Sequence, residues 1–85
     1  MDWSKYSFVI RAKNRKAVLL CLSNPKTPAQ IAKELNLSLP HVSRALKELE
    51  KEGLIECLTP NEKVGRVYKR TMIGEEIANF IKKIC

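Results

Sequence analysis

The sequence has too few of the residues from which metal sites, disulfide frameworks and catalytic centres are built. It contains one histidine and three cysteines among 85 residues. Cys21, Cys57 and Cys85 form no CxxC pair, and so sparse and odd a set fits neither a disulfide framework nor a zinc site. His41 has no second histidine beside it, and there is no glycine-rich phosphate loop or nucleophile–base motif. We therefore expect reduced cysteines, no metal or cofactor, and no enzymatic activity.

Long apolar segments are also missing from the sequence. No run approaches the roughly 18 apolar residues that cross a membrane, and residues 1–10 lack the basic and apolar regions of a secretory signal. The length predicts a single domain, residues 1–85, located in the cytoplasm. Because a domain of this size buries only a small core, we expect its function to lie on its surface.

Charge of both signs is present, but it is unevenly distributed. Sixteen basic and nine acidic residues give a formal net charge of +7. Residues 1–47 and 63–70 are predominantly basic, whereas residues 48–62 contain five glutamates and one lysine. A basic protein is attracted to polyanions in general, so charge alone is compatible with DNA, RNA or an acidic membrane surface.

Local signals divide the first half of the chain into helices. The first is predicted over residues 12–22 and ends before Pro25, which cannot continue the hydrogen-bond ladder. The second begins after the N-cap Thr27, with Pro28 at its first position and Gln30 placed to complete a capping box. These signals predict both the position of the break and the start of the second helix.

A third helix is predicted over residues 39–51, after a short turn in which Leu37 is apolar. Ser38 is its expected N-cap, and Gly53 is expected to end it as the C′ residue. Two helices joined by so short a turn are typical of the helix-turn-helix motif.

The remaining residues predict a hairpin and a last helix. The β-prone runs 54–58 and 66–70 are separated by a polar loop in which Gly65 is expected to have a positive φ. Thr71 is expected to cap a helix over residues 72–84. The predicted fold class is α+β and mainly helical: a winged helix-turn-helix with a three-helix core, a β-hairpin wing and a C-terminal helix.

The helix 39–51 is amphipathic and carries the candidate site. Its core face is formed by Val42, Ala45, Leu46 and Leu49, and basic and hydroxyl side chains lie opposite. In helix-turn-helix proteins the N-terminal half of the second helix of the motif enters the major groove of DNA. Arg44 is expected to read guanine through paired hydrogen bonds, and Lys47 to contact phosphate. The alternative is a solvated face on which Arg44 pairs with Glu48, four residues away.

The hairpin brings further positive charge close to this helix. Lys63, Arg66, Lys69 and Arg70 are expected to contact phosphates, the alternative being a charged edge strand that prevents aggregation. The predicted DNA-contacting residues are Thr27, Ser38, Leu39, Pro40, His41, Ser43, Arg44, Lys47, Lys63, Arg66 and Lys69.

The segments TPAQIAKELNLS (27–38) and VSRALKELEKEGLI (42–55) resemble ArsR/MarR-like winged helix regulators, especially small archaeal ones. GRVY (65–68), followed by Thr71 and Gly74, is similar to the wing and the start of the last helix in that group, so the resemblance covers residues 9–80. It implies a sequence-specific regulator of transcription that binds double-stranded DNA, with helix 39–51 in the major groove and the 54–70 wing on the backbone.

The sequence departs from the pattern of this group in two features. Arg70 stands where the group usually has an apolar residue. Metal-responsive members carry paired cysteines in the recognition helix, and because residues 38–52 contain none, the resemblance implies no metal-sensing role.

The resemblance also implies a homodimer formed through the first and last helices. Residues 17–22 have more apolar side chains than one face of a helix needs, and this apolar surplus agrees with a dimer. So does the apolar stripe formed by Ile77, Phe80, Ile81 and Ile84. Trp3, Tyr6 and Phe8 are candidates to join that surface. The alternative is that all these residues close the small core of one chain.

A second function remains open on the sequence alone. The domain could be a winged-helix module for protein–protein interaction in transcription or repair machinery, which Leu39, Pro40 and the acidic stretch would favour. RNA binding ranks third, because the deep and narrow groove of A-form RNA does not admit a helix.

Overall fold

The computed structural model describes residues 1–63 and 65–84, and within these ranges the chain forms five helices and one antiparallel pair of strands. In chain order they are α1 (Trp3–Ile10), α2 (Lys13–Cys21), α3 (Pro28–Leu35), α4 (Leu39–Lys51), β1 (Ile55–Cys57), β2 (Tyr68–Arg70) and α5 (Met72–Ile84). The predicted winged helix-turn-helix architecture is confirmed. The expectations for Val64 and Cys85 concern residues outside the described ranges.

Helix α1 is an element that the sequence pattern does not predict. The Asp2 carboxylate begins it by accepting hydrogen bonds from the backbone N–H groups of Ser4 (3.0 Å) and Lys5 (3.2 Å). An isolated helix of eight residues is unstable in water, so α1 depends on its packing against α2 and α5. Packing of this kind leaves little local signal in the sequence.

The helix-turn-helix is formed by α3 and α4, and its boundaries follow the predicted capping signals. Thr27 Oγ1 accepts the N–H of Gln30 (3.2 Å) while Gln30 Oε1 accepts the N–H of Thr27 (2.8 Å), so the capping box is confirmed. Asn36 ends α3 with a left-handed backbone (φ 55°). Ser38 occupies the N-cap position of α4 without a side-chain capping bond, and Gly53 follows α4 with a φ of 75°.

One hydrophobic core joins all five helices to the hairpin. On α4 the predicted core face is buried. Much of the apolar surplus at residues 17–22 and on α5 is also buried within the single chain, which favours the core alternative for Val18, Leu19, Leu22, Ile77 and Ile81. The buried apolar residues are Val9, Val18, Leu19, Leu22, Ile31, Val42, Ala45, Leu46, Leu49, Leu54, Ile55, Tyr68, Ile77, Ala78 and Ile81.

The strands of the wing are shorter than predicted. Beyond the last β1–β2 pair, Leu58 N–H donates to the Val67 carbonyl (2.7 Å), and then Thr59 Oγ1 replaces a backbone acceptor for the N–H of Val67 (3.0 Å). The base of the wing is anchored by Lys26, whose N–H and carbonyl both bond to the backbone of Tyr68 (3.1 and 2.9 Å). This bridge holds the hairpin beside the start of α3.

Helix α5 begins as predicted at Thr71. Its hydroxyl accepts the N–H of Gly74 (3.2 Å) and donates to the carbonyl of Gly53 (2.7 Å), which ties the start of α5 to the end of α4. Gly74 lies directly against the carbonyl of Leu54, where there is no room for a Cβ. None of the helices in the described part of the chain combines the length and apolar character that a membrane crossing requires.

The position of Arg70 corrects the expectation that this residue contacts phosphate. Its side chain is 4% exposed, and Nε lies 2.8 Å from Glu75 Oε1 without the alignment of a hydrogen bond. One terminal nitrogen donates to the carbonyl of Leu19 (3.4 Å). Because β2 alternates inward and outward residues, Arg70 follows Tyr68 into the protein interior and is not a phosphate contact.

Candidate nucleic-acid interface

The exposed face of α4 presents the side chains that the helical wheel predicts. Arg44 and Lys47 are exposed opposite the buried Val42 and Leu46. At the N-terminal end, Ser38, Leu39, Pro40 and His41 are all exposed, and Leu39 retains 50% of its accessible surface. The N-terminal half of α4 therefore protrudes from the core with a mixed polar, cationic and apolar surface.

A cleft of about 510 Å³ separates this face from the wing. It lies between the start of α3, one flank of α4 and the tip of the hairpin. Three cations line it, and no carboxylate does so among the described residues. Six of the predicted DNA-contacting residues meet there, namely Thr27, Leu39, Ser43, Lys47, Lys63 and Arg66.

The tip of the wing is shaped by its own backbone. Gly65 has a φ of 74°, as predicted, so the loop turns where a side chain would be strained. Arg66 Nε donates to the carbonyl of Glu62 (2.6 Å), which orients the guanidinium at the loop. This bond uses one of the five N–H donors of an arginine. Lys63 and Arg66 thus present positive charge on the wing side of the cleft.

The opposite flank of α4 faces the start of α2 across a second cleft, of about 430 Å³. His41, Arg44 and Glu48 line it from α4, and Lys13 and Arg15 line it from α2. The structure therefore separates the predicted α4 residues into two flanks, with Leu39 and Ser43 on the wing side and His41 on the α2 side.

Glu48 pairs with Arg15. It does not form the ion pair with Arg44 that the sequence offers as an alternative. Arg15 Nε lies 3.1 Å from Glu48 Oε1 and a terminal nitrogen lies 3.3 Å from Oε2. The pKa of Glu48 is held below its ordinary value mainly by this hydrogen bonding to Arg15, against an opposing effect of burial. Arg44 forms no ion pair or hydrogen bond with any residue of the described ranges.

Lys69 is a predicted site residue that the structure places away from both the cleft and α4. Its Nζ lies 3.6 Å from Glu56 Oε1 on the neighbouring strand. It lines a different cleft, formed by the hairpin, the end of α2 and the start of α5. Lys69 therefore has a partner in the fold, although an exposed pair of this kind contributes little to stability.

Three of the five glutamates in the stretch 48–62 are paired with cations away from the cleft. Besides Glu48 and Glu56, Glu52 is paired with Lys5 at 3.5 Å, and Lys5 Nζ also donates to the Glu52 carbonyl at 2.6 Å. The pairs of Glu48 and Glu52 are not predictable from the sequence, because their partners come from the N-terminal helices and leave no spacing signal.

The cysteine and histidine side chains form no metal site in the part of the chain that the structure describes. Cys21 and Cys57 are half-buried free thiols. The ammonium group of Lys26 lies 3.6 Å from Cys21 Sγ and 3.0 Å from Glu34 Oε1. The hydrogen bond to Glu34 raises the pKa of Lys26 above its ordinary value.

Residues 12–56 match the family model described as winged helix-turn-helix DNA-binding. A ZitR variant from Lactococcus lactis is structurally similar, with a TM-score of 0.76 and 26% identity over 85% of this chain and 51% of that one. A MarR family transcription regulator has a TM-score of 0.78 and 27% identity over 95% and 58% of the two chains. Reduced MarR from E. coli has a TM-score of 0.78 and 26% identity over 94% and 62%. The chain therefore spans about half to three fifths of these proteins. No protein of curated function matches it in sequence.

Proposed function

The chain belongs to the winged helix-turn-helix DNA-binding family, and we propose that it is a sequence-specific regulator of transcription acting on double-stranded DNA. The observation that carries the proposal is the cleft between α4 and the wing, which is lined by three cations and no carboxylate among the described residues. Pairing of the nearby glutamates with Arg15, Lys5 and Lys69 supports it, because these pairs leave the cleft positive.

In this proposal the N-terminal half of α4 enters the major groove. That groove is about 12 Å wide, which admits an α-helix. The unengaged Arg44 reads guanine through O6 and N7, while Lys47 contacts phosphate. Leu39, half exposed at the first position of α4, supplies an apolar contact for the methyl group of a thymine.

The wing contacts the sugar–phosphate backbone on one side of α4. Lys63 and Arg66 are the phosphate contacts, with Thr27 and Ser43 as hydroxyl donors at the other walls of the cleft. His41 adds a polar contact on the far flank, and Ser38 and Pro40 lie at the exposed start of the helix. Lys69 is a weaker candidate because of its place outside the cleft. The contacts require cations, hydroxyls and apolar groups, so no catalytic step or cofactor is part of the proposal.

We further propose a homodimer formed through the N-terminal and C-terminal helices. Trp3, Tyr6 and Phe80 pack edge to face with ring centroids 5.3–5.8 Å apart, which joins α1 to α5. Trp3 is still 60% exposed, and Ile84 is 54% exposed. These residues, rather than the buried residues of α2, form the apolar surface available to a second copy. The likeness to archaeal members stays a prediction, and so does the location in the cytoplasm.

Selection from a random duplex library tests the proposal. A dimer should select a pseudo-palindrome with half-sites centred about 34 Å apart, one helical turn of DNA. Sedimentation and footprint length test the dimer separately, since a monomer that protects one half-site would contradict it. Absence of binding to any duplex at low salt would contradict the regulator proposal and favour a protein-interaction module.

A further inference from the structure

We propose that Arg15 of α2 is a positioning residue that holds Glu48 away from Arg44 and so keeps the Arg44 guanidinium available for a base. The inference rests on the proposed function, in which Arg44 reads guanine. Although α2 does not enter the groove, its residue Arg15 would then influence the sequence preference of α4.

The competition arises from the spacing of the residues on α4. Glu48 follows Arg44 by four residues, and side chains at this separation are neighbours on the surface of a helix and pair when their charges are opposite. An ionised carboxylate at this position would therefore compete with DNA for Arg44. It would also lie near the phosphates and repel them.

The contacts of Arg15 prevent this pairing. Its guanidinium faces both oxygens of Glu48, at 3.1 and 3.3 Å, which is the two-point geometry that an arginine offers to a carboxylate. The same group donates to the carbonyl of Phe8 (2.9 Å) and stacks 4.0 Å from the centroid of the Phe8 ring. Arg15 is thus held from the side of α1 and α2, and it draws the carboxylate of Glu48 towards them.

The pKa of Glu48 agrees with pairing to Arg15 in preference to Arg44. Hydrogen bonding to Arg15 is the largest cause of its lowered pKa, and the charge of Arg44 is the smallest. Glu48 therefore stays ionised near neutral pH, with its charge committed to Arg15. Removing Arg15 would leave that charge on the recognition helix beside Arg44, whose charge already acts on Glu48.

The test compares Arg15→Ala, Glu48→Gln and the double variant by their affinities for a selected duplex and a random one. An exposed i,i+4 pair corresponds to about a twofold change in an equilibrium constant. Arg15→Ala should therefore lower the ratio of specific to random affinity by about twofold. Adding Glu48→Gln should restore the ratio. In an Arg44→Ala background, Arg15→Ala should leave the ratio unchanged.

Lys13→Ala is the matched control, since Lys13 lines the same cleft but does not bond to Glu48. It should weaken both duplexes alike and leave the ratio unchanged. Thermal unfolding verifies that each variant is folded. Equal losses on both duplexes with Arg15→Ala, or no recovery in the folded double variant, would overturn the inference.

A measurement without DNA separates failure of this inference from failure of the proposed function. In the free protein, the NMR signal of the Arg44 side-chain N–H should shift in Arg15→Ala and return in the double variant. An unshifted signal would overturn the positioning role even if DNA binds. If the signal shifts as expected but the protein binds no duplex, the positioning role of Arg15 would be supported and only the regulator proposal would be contradicted.

Discussion

Replacing Lys63 and Arg66 together by alanine should flatten the salt dependence of DNA binding. Each phosphate contact contributes about 0.9 to the slope of log affinity against log salt, so two lost contacts should reduce the slope by about 1.8 per bound subunit. Both residues line the cation-rich cleft, and neither is in an ion pair within the described ranges. The loss should be alike on specific and random duplexes, because phosphate contacts carry no base information.

Lys69→Ala is the control for this experiment. It removes one positive charge from the same hairpin, half of what the double variant removes, but Lys69 is paired with Glu56 at 3.6 Å and lies outside the cleft. Its slope should stay close to that of the unmodified protein. Anisotropy titrations between about 50 and 200 mM salt cover the range in which such slopes are measured.

A double variant that keeps the original slope, or whose slope falls no more than that of Lys69→Ala, would contradict the phosphate contacts of Lys63 and Arg66. The wing would then be a charged edge that prevents aggregation, and the protein-interaction alternative would gain support. A fall in the ratio of specific to random affinity would also contradict those contacts, because that result would place a wing residue on a base edge.

Arg44→Ala should cost about 1–3 kcal/mol of specific affinity with little change in unfolding temperature, and an equal loss on random duplexes would refute base reading. Gly65→Val should weaken binding without unfolding the helices, and Gly65→Asn should weaken it less, because Asn tolerates the φ of 74° better; equal effects in titrations would contradict this. The bond to Arg15 lowers the pKa of Glu48 below its ordinary 4.5, so its stabilising contribution is present above that value and lost as the pH falls through the lowered one. The difference in unfolding temperature between the protein and Glu48→Gln should therefore shrink in acid, and a constant difference down to about pH 3 would count against the pair.

Helix boundaries were predictable wherever a local chemical signal defines them. The capping box of Thr27 and Gln30 and the positive φ of Gly53 depend on residues within a few positions of each other. For α1 the equivalent signal is only Asp2, and the helix depends on packing between aromatic rings from opposite ends of the chain. Sequence periodicity over eight residues does not reveal such packing.

The solvent-exposed face of α4 was also predictable, because it depends only on the spacing of residues within one helix. A period of 3.6 residues places Arg44 and Lys47 opposite Val42 and Leu46 whatever the rest of the fold does. Strand alternation likewise separates Lys69 from Tyr68 and Arg70, but it does not say which side of the hairpin faces the protein. Burial of Arg70 and exposure of Lys69 depend on where the hairpin packs.

The sequence by itself determined the order of the elements from α2 onwards, the helix-turn-helix and the cationic face of α4, because each follows from interactions between residues close together in the chain. Only the tertiary structure decided which charged side chains are paired within the fold. Arg15 reaches Glu48 across 33 residues, and Lys5 reaches the Glu52 carbonyl across 47. Ion pairs are selected by distance in space, and a list of charges along a chain contains no such distances.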